Sequence, residues 1–290
     1  QPSADSLAVN RILGNSGSEI FGHLNANGQV WLINPNGVLF GQGSQVNVGG
    51  LVASTLNTQD NTNFAGSSNA SIVNQGNIQS GYVAFLGQTV SNAGSIHTTS
   101  GTTALGAGSD LTLHFANQSL LGLTVNASQL NALAQNGGLI EANGGQVILT
   151  AGARNAILKS QVNNTGVIEA ETVGHQNGHI ALLAGMTAGT VNVGGTLDAS
   201  APNGGNGGEI ETSADQVHIA DNTIILFSAD NGGNVISNTP KDLKNVNKNA
   251  RLPPRRQALL ADWRRWAGDL PPTNNAPLRE GKGWLYEGGN

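Results

Sequence analysis

The sequence predicts an all-β fold, a parallel β-helix over roughly residues 1–238, and three observations carry that prediction. Of the 290 residues only 11% are charged and 4% aromatic, while 41 are glycine, a composition suited to short strands joined by many tight turns. A couplet also recurs: an Asn-rich turn with Gly-x-Ile/Leu, then a second glycine opening a β-rich run. Third, the stretch "VWLINPNGVLFG", Val30 to Gly41, sets two continuous apolar runs around one emphatic turn, as in strands buried on both faces or enclosed in a core. With 38% of the chain hydrophobic, disorder is excluded, and no segment approaches the roughly 18 apolar residues of a membrane span.

The chain opens on Gln1 without an initiating Met, so we expect a missing N-terminal segment. Within "NPNG", Pro35 fixes its own φ and pushes Asn34 toward extended geometry. Asn36 and Gly37 tolerate left-handed conformations at least cost. The turn is read as the corner of one coil, with both flanking runs facing its interior.

The couplets follow: "NQGNI…GYVAFL" from Asn74, "NAGSI…GTTAL" from Asn92, "NGGLI…GGQVIL" from Asn136, "NTGVI…NGHIALL" from Asn164 and "VGGTL…GGEIET" from Val193. The glycine intervals Gly76–Gly94, Gly138–Gly166 and Gly166–Gly195 are 18, 28 and 29 residues, each the length of one solenoid coil. Coil stacked on coil hydrogen-bonds strand to strand about 4.8 Å apart and builds one interior from short strands that cannot bury an apolar face alone. Isoleucine and leucine after each glycine are expected to form internal ladders, with asparagine stacking at the corners. Roughly eight to ten coils give a rod about 40–50 Å long.

Two segments interrupt the pattern. Ser109–Gly138 reads as a hairpin around an Asn-Gln-Ser turn and then a short helix, "SQLNALAQ", with Ser128 as N-cap and Gly137 as stop. "ARNAILKSQVNN", Ala153–Asn164, reads as a second helical excursion. Beyond Pro240 the composition breaks: residues 1–240 hold three bases against thirteen acids, residues 241–290 ten against five, with three of the four tryptophans. This irregular basic tail, residues 239–290, is read either as a linker with "RRQALLADWRRWAG" as an amphipathic helix, or as the product of a frame change ending an exoprotein early.

The chemistry-bearing residues are sparse. There is no cysteine, hence neither disulfide nor thiolate. His175 and His179, with Glu169 and Glu171 nearby, lie in a glycine-containing loop without a fixed ligand face, so we expect no metal site and no cofactor. "PNGGNGGEIE", Pro202–Glu211, lacks the Asp and the tandem copies of calcium-binding repeats and reads as a loop. The pairs Glu169/Glu171 and Glu209/Glu211 each share a strand face, explained by a solvated surface. A β-helical polysaccharide lyase or hydrolase needs clustered acids with nearby bases, and three bases over 240 residues argue against an enzyme. The acidic balance of the rod argues against nucleic acid. Strand faces rich in Asn, Thr and Ser leave host-cell glycans or receptors as a second class of partner.

"QPSADSLAVNRILG…SEIFGHLNANGQVWLINPNGVLFGQGSQVNVGGLVAST" resembles the secretion domain of filamentous haemagglutinin and related two-partner-secretion exoproteins, over about Gln1 to Ser237. The resemblance implies a right-handed parallel β-helix, monomeric, recognised in the periplasm by an outer-membrane β-barrel transporter with periplasmic receptor modules. It further implies a cell-surface or secreted adhesin, haemagglutinin, cytolysin or contact-dependent toxin of a Gram-negative bacterium. Asn34, Pro35, Asn36 and Gly37 match the family's secretion motif, whereas a second Asn-Pro-Asn motif and the basic tail have no counterpart. On this reading Asn34→Ile is expected to harm export more than stability, and Gly37→Val both.

Overall fold

The structure, a computed structural model, describes residues 2–128, 130–152 and 159–219. Among them every regular element is a strand, and the strands wind into a parallel β-helix with three faces. The first face runs from Leu7–Arg11 through Gln29–Ile33, Gly50–Ser54, Val83–Gly87, Thr102–Ala107, Gln146–Ala151 and His179–Ala184 to Glu209–Ser213. The second runs from Ser18–Ile20 and Val38–Phe40 to Gln216–Ile219, and the third from His23–Asn25 to Thr196–Asp198. Eight successive coils are thus traced in the described residues. Residues 220–238 of the expected helix, and the tail 239–290, lie outside the described residues.

The couplets mark coil corners. Ile78, Ile96, Ile140, Ile168 and Leu197 stand in register on the third face, each at most 1% exposed, and form one internal ladder. Burying such a side chain contributes about 2 kcal/mol, so the ladder supplies much of the stacking free energy. Beside it runs a ladder of buried amides. Asn74 donates to Asn92, Asn92 to Asn136 and Asn136 to Asn164, each Nδ2–Oδ1 distance being 2.8 Å. It ends where Phe40 and Val193 occupy the neighbouring register positions. The glycines are dictated by close approach: a Cβ at Gly94, Gly138, Gly166 or Gly195 would fall on the carbonyl oxygen of the corresponding glycine one coil earlier.

A second layer explains the apolar runs. Insertions between the first and second faces form an antiparallel sheet, Ser119–Ala127, Asp110–Ala116, Asn63–Ala65 and Asn57–Thr58 in that order, laid over the outside of the first face. Val30 therefore packs into the coil while Trp31 and Ile33 point outward beneath this overlay. Ala84 and Leu86 do the same, with Val83 and Phe85 inside. The "VWLI" run is thus buried on both faces, and the expectation that all of it looks into the coil is corrected. Trp31 stacks on Phe115 with centroids 5.9 Å apart, and Tyr82 meets the same ring edge-on at 5.5 Å.

Polar contacts lock the overlay down. Trp31 Nε1–H donates to Tyr82 Oη at 3.0 Å, Tyr82 Oη donates to Gln29 Oε1 at 2.6 Å, and Gln29 Nε2 donates to Gln118 Oε1 at 3.1 Å. Burial pushes the Tyr82 phenol up to about 12. Tyr82→Phe removes the acceptor of the Trp31 N–H, and a buried donor left unpaired costs about 2 kcal/mol, hence a melting temperature lower by about 5 °C. Thermal unfolding followed by circular dichroism checks this, and an unchanged midpoint contradicts it.

The hairpin around Asn117 and Gln118 forms as expected, both residues taking positive φ. The short helix does not. Within Ser128–Gly137 the chain forms the strand Ala132–Asn136, between Thr89–Asn92 and Ser160–Asn164. Helix propensity differs by only tenths of a kcal/mol per residue. The strand instead buries Ala132 and Ala134 and places Asn136 in the amide ladder. In the second expected excursion, Ser160–Asn164 is likewise a strand, and residues 153–158 lie outside the described residues.

Candidate functional site

Asn34–Gly37 is the corner between the first and second faces in the second coil. Gly37 N–H donates to Asn34 O at 3.0 Å, closing the turn with Pro35 at its second position. Only Gly37 takes positive φ, at 104°, while Asn36 keeps an ordinary negative one. A Cβ on Gly37 would lie 3.0 Å from Ser71 O, so conformation and space both exclude a side chain there.

The four residues divide into two roles. Asn34 is 0% exposed: its Nδ2 donates to Ser16 O at 3.0 Å and Ser18 Oγ at 2.9 Å, and its Oδ1 accepts from Asn36 N–H at 2.9 Å. Its amide therefore ties the turn to the preceding coil and has no face toward solvent. Pro35 and Asn36 are exposed. Asn36 Nδ2 donates to Gly14 O at 2.8 Å, and Ser68 Oγ donates to Pro35 O, so flanking loops brace the exposed pair.

The structure also gathers acids that look scattered in sequence. His97, Glu141, Glu169 and Asp198 stand in register on the third face, each three residues after a corner glycine. That constant offset was the available signal. His97 Nδ1 and Glu141 Oε2 are 2.9 Å apart. Burial, and repulsion from Glu141, Glu171 and Asp198, hold the Glu169 carboxyl above its ordinary range. A carboxyl raised in the folded state favours the fold when protonated, so stability falls as pH rises through its folded value and the penalty is complete at neutrality. Glu169→Gln should therefore raise the melting temperature at neutral pH by about 1–3 °C. That gain should shrink as the pH falls toward about 4; a gain independent of pH contradicts this.

The other candidates separate. His175 lies on an exposed turn closed by Val173 and Gln176, and His179 opens a strand between Gln146 and Glu209. Among the described residues no group of three or more His, Cys, Asp or Glu is placed to hold a metal ion. Glu209 and Glu211 are exposed on one strand face, and Pro202–Gly205 is an exposed loop.

A three-faced parallel solenoid with an antiparallel overlay on its first face and one braced Asn-Pro turn defines the class: a parallel β-helical domain. The family model described as the TPS secretion domain, for two-partner secretion, matches residues 1–199, and the chain belongs to this family. A heme/hemopexin-binding protein of Haemophilus influenzae strain Rd is 37% identical over 202 residues, 63% of this chain and 22% of that protein. A second heme/hemopexin-binding protein of Haemophilus influenzae is 51% identical over 55 residues, 19% of this chain and 6% of that protein. The crystal structure of the HMW1 secretion domain from Haemophilus influenzae superposes with a TM-score of 0.64 at 25% identity, covering 80% of this chain and 73% of that one. This chain thus spans about a fifth or less of the curated relatives' lengths. As a TPS secretion domain it serves the export of an exoprotein through an outer-membrane transporter.

Proposed function

We propose that the Asn34–Gly37 corner is part of the surface by which the transporter's periplasmic receptor modules recognise this chain. Its division of labour carries the reading: Asn34 and Gly37 are buried and fix the backbone, and Pro35 and Asn36 are held out to solvent. A corner needing only to turn has no use for bracing from two loops.

The exported protein, on this reading, is an adhesin or other ligand-binding exoprotein whose activity resides in further sequence, as the names of the heme/hemopexin-binding relatives suggest. This domain itself is no polysaccharide lyase or hydrolase on this reading: Arg11 lies on the first face and Lys159 just before the second-face strand Ser160–Asn164, both away from the third-face column of Glu141, Glu169 and Asp198. The test is export of the full exoprotein in its native bacterium with Pro35→Ala and Asn36→Ala combined. Export should fall about tenfold while the melting temperature of the purified domain shifts by no more than about 3 °C. Unchanged export would mean that the partner reads something else.

A further inference from the structure

Flanking this turn, the second face carries an apolar surface that the fold leaves uncovered. Leu13 is 94% exposed at the loop whose Gly14 carbonyl Asn36 grips. Phe21 is 60% exposed directly after the strand Ser18–Ile20, its ring lying over Gly41 where a Cβ would collide with it. Between them Glu19, Leu39 and Val73 stand side by side in register, their side chains on the outer face. Glu19, Leu39, Val73 and Ala70 line a shallow groove of about 340 Å³ that reaches Asn36.

We propose that this groove, together with the exposed Leu13 and Phe21 outside its lining as two apolar anchors, is the docking surface for a periplasmic segment of the transporter that presents apolar side chains and one Lys or Arg. The proposal rests on the recognition reading above and extends it from the turn to the adjoining face. Charge specifies the occupant. Glu19 is the groove's one charged residue and makes no ion pair among the described residues, while Arg11 is engaged by Asn57 Oδ1 at 2.7 Å. A carboxylate without an ion pair, beside the half-buried Leu39 and Val73, suits a partner that brings a cation, whose removal shows mainly in the rate and salt dependence of binding. The anchors supply affinity, since exposed aromatic and aliphatic side chains that become fully desolvated dominate interfaces. Gly41 matters because any side chain there would push the Phe21 ring off the surface.

The experiment is export of the full exoprotein in its native bacterium, measured beside thermal unfolding of the purified domain, for Leu13→Ser with Phe21→Ser and, separately, for Glu19→Lys. Both anchors are exposed, so the double variant should cost export about tenfold with a melting temperature within about 3 °C of the original. Glu19→Lys, a surface charge that cannot unfold the coil, should lower export by at least about threefold. Export within about twofold of the original for both variants overturns the proposal even if the Pro35/Asn36 variant is defective, and so does a loss that Glu19→Lys does not share. The recognition reading fails separately, by unchanged export of the combined Pro35→Ala and Asn36→Ala variant.

Discussion

Replacing Gly138 by Ala lowers the stability of the domain by about 3 kcal/mol and its melting temperature by about 10 °C. Gly138 sits beneath Gly94, and its new methyl carbon would overlap the Gly94 carbonyl oxygen. That oxygen is fixed, because it accepts the Leu139 N–H at 3.0 Å in the rung between coils. Relief therefore requires the two coils to separate locally, and neither the amide pair Asn92–Asn136 nor the Ile96–Ile140 contact in the same rung can follow without loss. The control is Gly122→Ala on the overlay, where nothing lies within 4 Å of the added carbon. That variant should stay within about 0.5 kcal/mol of the original, since removing a glycine's freedom in the unfolded chain even stabilises slightly. Thermal and urea unfolding of the pair measure the difference. Equal midpoints would mean that the glycines are not set by coil stacking.

Asn34→Ile should lower stability by a similar amount, about 3 kcal/mol. A β-branched side chain suits the strand end, and from sequence alone the substitution is expected to harm export more than it lowers stability. The buried amide of Asn34 adds a stability cost to that expectation. In a fully buried position, Ile leaves Ser16 O, Ser18 Oγ and Asn36 N–H without the partner Asn34 gives them. Each of these part-buried bonds is worth about 1 kcal/mol, and water recovers some of the loss at the exposed Ser16 and Asn36. Asn34→Asp is the informative companion. It keeps the acceptor for the Asn36 N–H and loses the donor to Ser16 and Ser18, so it should fall between the two. If Asn34→Ile melted with the original, the amide would not be the tie between turn and coil.

The parts of the fold legible in sequence are those that repeat at coil length. Gly94, Gly138, Gly166 and Gly195 betray the coils because each meets the carbonyl oxygen of the glycine one coil earlier, while Gly76 meets Ser44, and the isoleucine or leucine two residues after each points to the same interior. The hairpin at Asn117–Gln118 was legible because its pairing is local. Its partner strands Asn57–Thr58 and Asn63–Ala65 were not, since Leu111 meets Phe64 across a long stretch of chain and no local pattern announces it. That omission is why Trp31 and Ile33 were assigned to the wrong side. "SQLNALAQ" misled for a related reason: its Ala, Leu and Gln favour a helix, but neighbouring strands on both sides impose a rung. At the turn, sequence identified the four residues and the need for glycine at position 37. It could not separate the buried amide of Asn34 from the exposed amide of Asn36, a distinction set by the loop 12–17 folding back from the previous coil.

Surface export plotted against melting temperature, for Gly138→Ala, Asn34→Ile and the combined Pro35→Ala and Asn36→Ala variant, decides whether the Asn34–Gly37 turn is a recognition surface or a fold element alone. We expect the first two to lose stability together with whatever export they lose. The exposed pair should fall well off that line, with export reduced about tenfold at nearly unchanged melting temperature. All three variants lying on one line, with export following stability throughout, would contradict a recognition role for the turn.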